Sequence, residues 1–405
     1  MALAYHALSR RGTFAASVRV LTGVVISDAA LSMRKASYGW ELLARLLPRV
    51  LRPIADPSAD TGAFHGGLRL AAIDGTRFSL RNTPGISAAA VKPKSGKGGT
   101  PCAFAPVLCS VLLELGTHCP LALSMGWDGE GEPTPARELF DALPPRALLP
   151  PDRLYGSPWL LWELGPALKS WESHFPVRVR DNIKVKGISR LSDGSWLVEV
   201  PAHDPDTGDT AGTLNLREIR AQIMVEEEPA PQSVRLWTSL PDPESHPAME
   251  LAALYARRWE QELFFRELKS HIHGAAGLLQ AQTIDGAAHE VMALMMAAAL
   301  LAGQRRGVAV HAGVPVLRVS PAQVLDRTES LFTVLEAGKG LLTSEQAAEL
   351  LRRVLAQPAA TALVKPRAPR SCQRAVRQPV NAWPKMRTPT SRKLIVTIAI
   401  TETNP

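Results

Sequence analysis

Residues 255–269 read YARRWEQELFFRELK, a pattern that predicts a helix with an unusual polar face. At ~100° per residue, four polar side chains fall within roughly 60° of one another: Tyr255, Arg258, Glu262 and Lys269. An ordinary surface helix spreads its polar residues widely and keeps its narrow stripe apolar. The alternative is an exposed ladder of ion pairs, but such pairs contribute only about 0.2–0.5 kcal/mol each and leave Tyr255 and Lys269 unexplained. The stripe therefore predicts a functional face.

Two aspartates stand where predicted strands end. Asp74 follows the apolar run LRLAAI, and Asp152 opens a turn after Leu148-Leu149 and two prolines. Polar functional groups gather at strand ends in α/β sheets, although a lone aspartate there is also typical of a turn or a helix cap. Together with Glu262 they make three carboxylates. Oxygen ligands of this kind suit a pair of Mg²⁺ ions that clamp the attacking and leaving oxygens of a phosphoryl transfer.

Helical and strand patterns follow one another along the rest of the chain. Residues 27–51 have helical spacing, with Ser27 or Asp28 as the N-cap. LRLAAIDGTRFSL predicts a strand, a turn at Asp74-Gly75 and a second strand. Further strands are predicted at 102–116, 120–127, 175–180 and through the β-rich stretch 181–247, and helices at 136–143, 157–171 and 287–302. From about residue 303 the folding signal weakens.

The charge of the chain indicates a polyanionic partner. A net charge of +8 and a pI near 9.5 favour nucleic acid before a membrane. The apolar run from Val291 is ~13 residues long, short of the roughly 20 that span a bilayer, so it predicts a core helix. The four cysteines form no CxxC pair, which favours reduced thiols, and the N-terminus shows no apolar signal region. We therefore expect a cytoplasmic protein with no membrane partner.

Several other motifs do not support a site. GKGGT within residues 96–100 does not complete a phosphate-binding loop, and His289-Glu290 lacks the second histidine of a zinc protease. His271 and His273 are poorly spaced for one metal, and no GxSxG signature is present. The carboxylates of GWDGEGEPTP predict a solvated loop: Asp128, Glu130 and Glu132. The basic run 365–393 holds nine Lys/Arg and no Asp/Glu, and it predicts either a solvated tail or extra phosphate contacts.

The stripe and the two aspartates resemble a known family. YARRWEQELFFRELK fills all four positions of the Y-x2-R-x3-E-x6-K signature found in DDE transposases of bacterial insertion sequences. LRLAAIDGTRFSLRNTP resembles the first-aspartate block of that family, DRLYGSPWLL its second block, and HFPVRVRDN the strand behind it. The resemblance covers roughly residues 67–305. One departure is that Asp152 follows Pro150-Pro151 rather than a long apolar strand, so Asp181 is an alternative second aspartate.

The resemblance implies an α/β fold, with an RNase H-like mixed β-sheet core flanked by helices. The core would be built from residues 67–180 and from residues 248–305, which carry the glutamate helix. Residues 181–247 would form a β-rich insertion between the second aspartate and the glutamate. The helical N-terminal region 1–66 would bind the DNA end, and residues 306–405 would form a C-terminal region with a basic tail.

The resemblance also assigns roles to individual residues. Asp74, Asp152 and Glu262 would be catalytic and would hold two Mg²⁺ ions, with Mn²⁺ as a substitute. The expected DNA contacts are Tyr255, Arg258, Lys269, Arg153 and Arg178. Arginine forks a phosphate with two hydrogen bonds, lysine acts as a point charge, and a tyrosine hydroxyl donates one more bond.

The implied function is cut-and-paste transposition. The protein would bind double-stranded DNA at the terminal inverted repeats of its element, act as a homodimer on paired ends, and join them to target DNA in the nucleoid of a bacterial cell. A hairpin step would need a flipped base, with Trp237 or Trp196 either stacking on it or serving in the core. Two alternatives stay open: another RNase H-like metal-dependent nuclease, and an inactive transposase-derived DNA-binding protein.

Overall fold

The chain folds into two β-sheets surrounded by helices. A computed structural model describes residues 2–9, 12–94, 101–127, 129–225, 231–273, 278–338, 340–356, 363–364 and 396–401. The strands are β1 (Phe64–His65), β2 (Leu68–Ser79), β3 (Pro106–Glu114), β4 (Cys119–Gly126), β5 (Ala147–Leu148), β6 (Pro176–Arg178), β7 (Lys186–Arg190), β8 (Trp196–His203), β9 (Thr210–Val225), β10 (Gln232–Thr238) and β11 (Val396–Ile400). The glycine-rich loop at 96–100, Asp128, Cys372 and the basic run 365–393 lie outside the described residues.

Helices form the described part of the N-terminal region, separate several of the strands, and follow one another from Ile284 to Ala356. They are α1 (Ala2–Ser9), α2 (Phe14–Thr22), α3 (Asp28–Ser37), α4 (Trp40–Ala44), α5 (Leu47–Val50), α6 (Pro84–Ser87), α7 (Pro133–Arg137), α8 (Pro158–Ser170), α9 (Ala248–Tyr255), α10 (Trp259–Glu267), α11 (Ile284–Ala312), α12 (Pro321–Ala337) and α13 (Ser344–Ala356). The predicted N-cap Ser27 is confirmed, because its hydroxyl accepts a hydrogen bond from the Ala30 N–H at 3.2 Å.

The first sheet has the order β1-β2-β3-β4, all antiparallel, with β5 parallel to β2 on the other side. The predicted turn at Asp74-Gly75 is wrong, since β2 runs unbroken from Leu68 to Ser79. Asp74 pairs with Val111 and Gly75 with Ser110. The strand β3 therefore continues alongside both residues, and the chain makes no turn between them.

Side chains on the two faces of β2 enter different cores. Leu70, Ala72 and Phe78 pack into a cluster that includes α9, α10 and α11, whereas Ala71 and Ile73 pack into a cluster with α7 and α8. Because strand side chains alternate between the faces of a sheet, the position of Asp74 lies on the α10 and α11 side. The strand β2 therefore lies between two groups of helices, α9–α11 on one face and α7 and α8 on the other.

The second sheet has the order β6-β10-β9-β8-β7, and β11 pairs with the far end of β9. It contains the predicted β-rich stretch, together with β6, which the sequence placed in the catalytic core. β6 pairs with β10 through the register Leu236↔Arg178. Hydrogen bonding thus joins the two sides of the expected boundary near residue 180.

The second sheet also anchors the start of α9. Asp193 lies in the turn between β7 and β8, and its Oδ2 accepts a hydrogen bond from the Ala248 N–H at 2.8 Å. The same carboxylate pairs with the buried Arg217 of β9. Arg217 Nη1 in turn donates to the backbone carbonyl of His246 at 2.7 Å. One buried arginine therefore links the turn, the connector and the first residue of α9.

The long helix α11 passes through the first core. It is long and apolar enough to cross a bilayer, but 78% of its most apolar stretch is buried inside the protein, as expected of a core helix. The predicted weakening of structure after residue 303 is wrong for the described residues, because α11 reaches Ala312 and α12 and α13 follow. Arg305 is buried and donates from Nε to the Val319 carbonyl at 2.7 Å, so this region is tied to the core.

Candidate active site

Asp74 and Asp152 lie at the same level of the first sheet. β2 and β5 run parallel, with Leu70 opposite Leu148. Asp74 comes four residues after Leu70 (74 − 70 = 4), and Asp152 four residues after Leu148 (152 − 148 = 4). Parallel neighbours carry equal offsets to the same edge of a sheet. The negative charge of Asp152 contributes to raising the pKa of Asp74, so the two carboxylates interact electrostatically.

Asp152 caps the short 3₁₀ turn Arg153–Tyr155. Its Oδ1 accepts a hydrogen bond from the Arg153 N–H at 2.6 Å. The shortened strand predicted at Leu148-Leu149 is present as β5, Ala147–Leu148. Asp181, the alternative second aspartate, is exposed and lies in the loop whose carbonyl groups receive Arg235 Nη1. The structure thus brings Asp152, rather than Asp181, toward Asp74.

The helix α10, which carries Glu262, packs against β3 at the position opposite Asp74. Gln261 is fully buried, and its Nε2 donates to the Val111 carbonyl at 3.1 Å. Val111 is the residue paired with Asp74 across the ladder. This hydrogen bond seats α10 over the Asp74 position, and the next residue along the helix is Glu262.

Arg258 is the group that all three predicted carboxylates share. Its Nη2 lies 3.2 Å from Glu262 Oε1, and the two side chains are 18% and 29% exposed. Burial alone would lower the pKa of Arg258, but the charges of Asp152, Glu262 and Asp74, together with Tyr255, outweigh burial and raise it. The guanidinium therefore sits among Asp74, Asp152 and Glu262. The exposed ion-pair ladder weighed above does not describe this partly buried site.

The sequence missed Glu132, which the structure places beside Asp74. The prediction of a solvated loop is wrong for this residue: Glu132 Oε1 accepts hydrogen bonds from the Gly75 N–H at 3.1 Å and from the Tyr155 hydroxyl at 3.0 Å. Burial, followed by the Glu132 charge, raises the pKa of Asp74 to about 7. Glu132 immediately precedes the helix α7, and its own stretch of sequence carries no signal of a contact with β2.

The signature segment is not one regular α-helix. α9 and α10 are joined by a 3₁₀ turn, Ala256–Arg258, and α10 continues into a π-turn, Leu268–Ile272. Such π-turns are often found at functional sites. Lys269 lies within that turn, with Nζ 5.4 Å from the ring centroid of Phe78. The π-turn therefore takes Lys269 toward the far end of β2, past the cluster of carboxylates.

The remaining predicted DNA contacts surround the cluster. The Tyr255 hydroxyl hydrogen-bonds the backbone of Arg178, and burial raises the pKa of Tyr255 to about 12. The charges of Asp152 and Arg178 also act on Tyr255. Arg153 is exposed beside Asp152, and Arg178 is half-buried on β6. Tyr255, Arg153 and Arg178 thus lie on the Asp152 side of the cluster.

Of the two tryptophans considered for base stacking, Trp237 is enclosed in the core. Trp237 is fully buried, and its Nε1 donates to Glu218 Oε2 at 2.8 Å. The indole nitrogen of Trp196 is buried as well. Trp237 therefore has the core role that was the alternative to stacking.

A buried histidine, His118, is hydrogen-bonded to α10 at two positions. His118 is 3% exposed, with Nε2 3.0 Å from Glu260 Oε2 and Nδ1 2.8 Å from Glu267 Oε2. Burial alone would lower its pKa, but the Glu267 and Glu260 carboxylates outweigh burial and raise it above 6.5. Glu260 and Glu267 stand on either side of Glu262 in the sequence, so one charged imidazole restrains both ends of α10.

This histidine makes stability depend on pH. Because its pKa is raised in the folded protein, the charged His118 stabilises the fold fully below pH 6.5, and this contribution is lost as the pH rises through the raised value. We expect the melting temperature of the wild type to exceed that of His118→Gln most at low pH, with a gap that narrows as the pH rises above 6.5. A gap that is independent of pH would contradict the charged state.

The chemistry of the donor set suits a hard divalent cation. Asp74, Asp152 and Glu262 offer only oxygen ligands, and a carboxyl with the raised pKa of Asp74 is one whose charge a cation would stabilise. Among the residues that the structure describes, however, no group of three or more His, Cys, Asp or Glu is arranged to hold an ion. Arg258 offsets part of the charge of these carboxylates in the arrangement seen here.

A family model and a sequence relative point to the same family. A model of the transposase DDE domain matches residues 65–300. The chain is 26% identical over 247 residues to "Transposase InsG for insertion sequence element IS4" of Escherichia coli (strain K12), a match that covers 60% of this chain and 54% of that protein. The chain thus spans about half the length of the curated relative it matches. A piggyBac transposase synaptic complex with hairpin DNA aligns with a TM-score of 0.40 at 11% identity, over 70% of this chain and 56% of that one.

Proposed function

Since the chain belongs to the family of transposase DDE domains and is a transposase of the insertion-sequence type, we propose that it binds the ends of its own element, cuts them and joins them to target DNA. The observation that carries this proposal is that Arg258 pairs with Glu262 at 3.2 Å while the charges of Asp152 and Asp74 act on the same guanidinium. Asp74 comes from the strand β2, Asp152 from the turn that follows the parallel strand β5, and Glu262 from the helix α10.

The proposed fold of the catalytic core is RNase H-like. The order β4-β3-β2-β5 supports it, since three antiparallel strands are followed by a parallel one beside the first of them. Leu148 of β5 also forms a parallel bridge with His174, after the helix α8. In this arrangement the β-rich sheet is inserted between Asp152 and Glu262, and residues 1–66 serve in binding the DNA end.

We propose Asp74, Asp152 and Glu262 as the catalytic carboxylates. Transposase DDE domains generally use divalent metals, and here the three residues would hold Mg²⁺, or Mn²⁺ in its place, which would supply charge neutralisation and activation of the attacking oxygen. Arg258 pairs with Glu262 at 3.2 Å, and a cation held by the carboxylates would take over part of this pairing. Arg258 can then fork the phosphate at the cleaved end.

The other proposed DNA contacts lie on two sides of Arg258. Tyr255, Arg153 and Arg178 lie on the Asp152 side and would hold the phosphates near the cleaved bond. Lys269, near Phe78, would contact the strand farther along. The net charge of +8 supports this use of the surface, because phosphate contacts release counterions and favour binding. We further propose a homodimer on paired ends, working in the bacterial cytoplasm at the nucleoid.

A cleavage assay with the element's own ends tests this function. Purified protein is mixed with a plasmid that carries the element's two terminal repeats, in Mg²⁺ or in EDTA. We expect breaks at the outer ends of the repeats and joined products in Mg²⁺ only. Cutting that ignores the repeats would favour the RNase H-like nuclease, and binding without any cut would favour the inactive DNA-binding protein.

A further inference from the structure

One oxygen atom connects the neighbourhoods of the two aspartates. Glu132 Oε1 receives the backbone N–H of Gly75 at 3.1 Å and the Tyr155 hydroxyl at 3.0 Å. Gly75 directly follows Asp74, and Tyr155 ends the 3₁₀ turn that Asp152 caps. The carboxylate of Glu132 therefore ties the strand of one aspartate to the turn of the other.

The fit around Glu132 is close. A Cβ atom added to Gly75 would lie 2.7 Å from both Cγ and Cδ of Glu132, so only glycine leaves room for this side chain. A glycine inside a strand often marks such a close approach. Tyr155 is 2% exposed, and its buried hydroxyl needs an acceptor, which Glu132 provides.

The arrangement is costly in charge and therefore calls for a reason. Glu132 and Asp74 carry like charges close together, and the repulsion adds to burial in raising the pKa of Asp74. A carboxylate placed only for folding would gain more from a cationic partner than from a neutral amide and a phenol. Its place beside Asp74 points instead to the site.

We propose that Glu132 is a positioning residue, whose Oε1 sets the separation of Asp74 and Asp152 by holding Gly75 and Tyr155 together. This role rests on the proposed function, in which the two aspartates act on one phosphate. Residues that orient metal ligands typically contribute 10–100-fold to metal affinity or activity. Glu132 requires an acceptor oxygen for this work rather than a negative charge.

Substitutions that separate the acceptor from the charge test the role. Glu132→Gln keeps the oxygen, and Glu132→Ala removes it. In single-turnover cleavage of pre-bound ends we expect Glu132→Gln to stay within about threefold of wild type and Glu132→Ala to fall about 10–100-fold. The Mg²⁺ concentration that half-saturates the rise in melting temperature should increase about tenfold in Glu132→Ala, a readout that needs no catalysis.

Tyr155 supplies the second arm of the test. Tyr155→Phe should lower cleavage less than Glu132→Ala, and the double variant should be no worse than Glu132→Ala alone, because both changes break one connection. Gly75→Ala tests the same contact independently, because the added Cβ would displace the Glu132 side chain. We expect Gly75→Ala to lower cleavage in the wild-type background, and to cause little further loss when it is added to Glu132→Ala. Glu130→Ala, on the same loop, is the matched control and should behave as wild type.

Three outcomes would overturn the proposal: full activity and Mg²⁺ response in Glu132→Ala, a Glu132→Gln variant as poor as Glu132→Ala, or additive losses in the double variant. The second of these would make Glu132 a direct ligand. Failure of the proposed function looks different, because the wild type itself would then make no Mg²⁺-dependent cut at the ends. The melting response to Mg²⁺ would still separate Glu132→Ala from wild type.

Discussion

Asp74→Asn is expected to lower strand cleavage at the element's ends by about 1000-fold or more, while binding of the ends persists. The amide has nearly the shape of the carboxylate but lacks its charge, so it is a poor ligand for a hard cation. A thousandfold loss corresponds to roughly 4 kcal/mol of transition-state stabilisation. Asp152→Asn and Glu262→Gln should give losses of the same order. Gel-shift binding and cleavage of labelled ends in Mg²⁺ measure the two effects separately.

Asp181→Asn is the matched control for this experiment. Asp181 is exposed, lies 29 residues after Asp152 (181 − 152 = 29), and was the alternative second aspartate. We expect its cleavage to match that of wild type. If Asp152→Asn cleaves normally and Asp181→Asn does not cleave, the second catalytic aspartate is Asp181 rather than Asp152.

Glu218→Ala is expected to cost about 3–5 kcal/mol in the free energy of unfolding, the usual cost of breaking a buried ion pair from one side. Glu218 is 1% exposed and pairs with the 7% exposed Arg235 at 2.7 Å. It also accepts the indole N–H of Trp237 and the Nε of Arg220, each at 2.8 Å. Removing the carboxylate leaves the Arg235 charge and the Trp237 donor buried without this partner. Urea unfolding followed by tryptophan fluorescence measures the loss.

Glu199→Ala is the control for that change. Glu199 lies on β8 of the same sheet and pairs with the exposed Lys186 at 2.8 Å. Exposed ion pairs contribute little because water already solvates both charges, so the urea midpoint should not move. Equal losses in Glu199→Ala and Glu218→Ala would show that burial does not set the effect.

The family could be predicted, and Asp74, Asp152 and Glu262 could be proposed as site residues, because their signals are local. The four positions of YARRWEQELFFRELK follow helical spacing, and each aspartate follows an apolar run or a short strand. The strands β3, β4 and β8–β10 were likewise predicted from continuous or alternating apolar patterns. In each of these places, a single stretch of sequence contains both the structural element and the residue pattern that predicts it.

The parts that the sequence did not reveal depend on distant partners. Glu132 is bound by Gly75 and Tyr155, which lie 57 and 23 residues away, and its own surroundings, rich in Gly and Pro, have the composition of a loop. Asp74-Gly75 has the composition of a turn, but β3 pairs with both residues. In the sequence, His118 and Glu114 look like ordinary polar residues beside a hairpin. In the fold, His118 pairs with Glu260 of α10, and Glu114 accepts hydrogen bonds from the backbone N–H groups of residues 54–55. Tertiary contacts decided each of these cases.

The Asp193–Arg217 link has a consequence for how such proteins can recombine. The hydrogen bond that caps α9 comes from Asp193, in a turn 55 residues earlier. That turn belongs to the second sheet, which a sequence alignment would treat as an insertion that can be exchanged. A chimaera that takes this sheet from a relative must take a compatible turn and arginine with it, or the helix leading to Tyr255 and Arg258 begins without its partner. Breakpoints should therefore be tolerated in the exposed loops within the sheet, and not at the junction with α9.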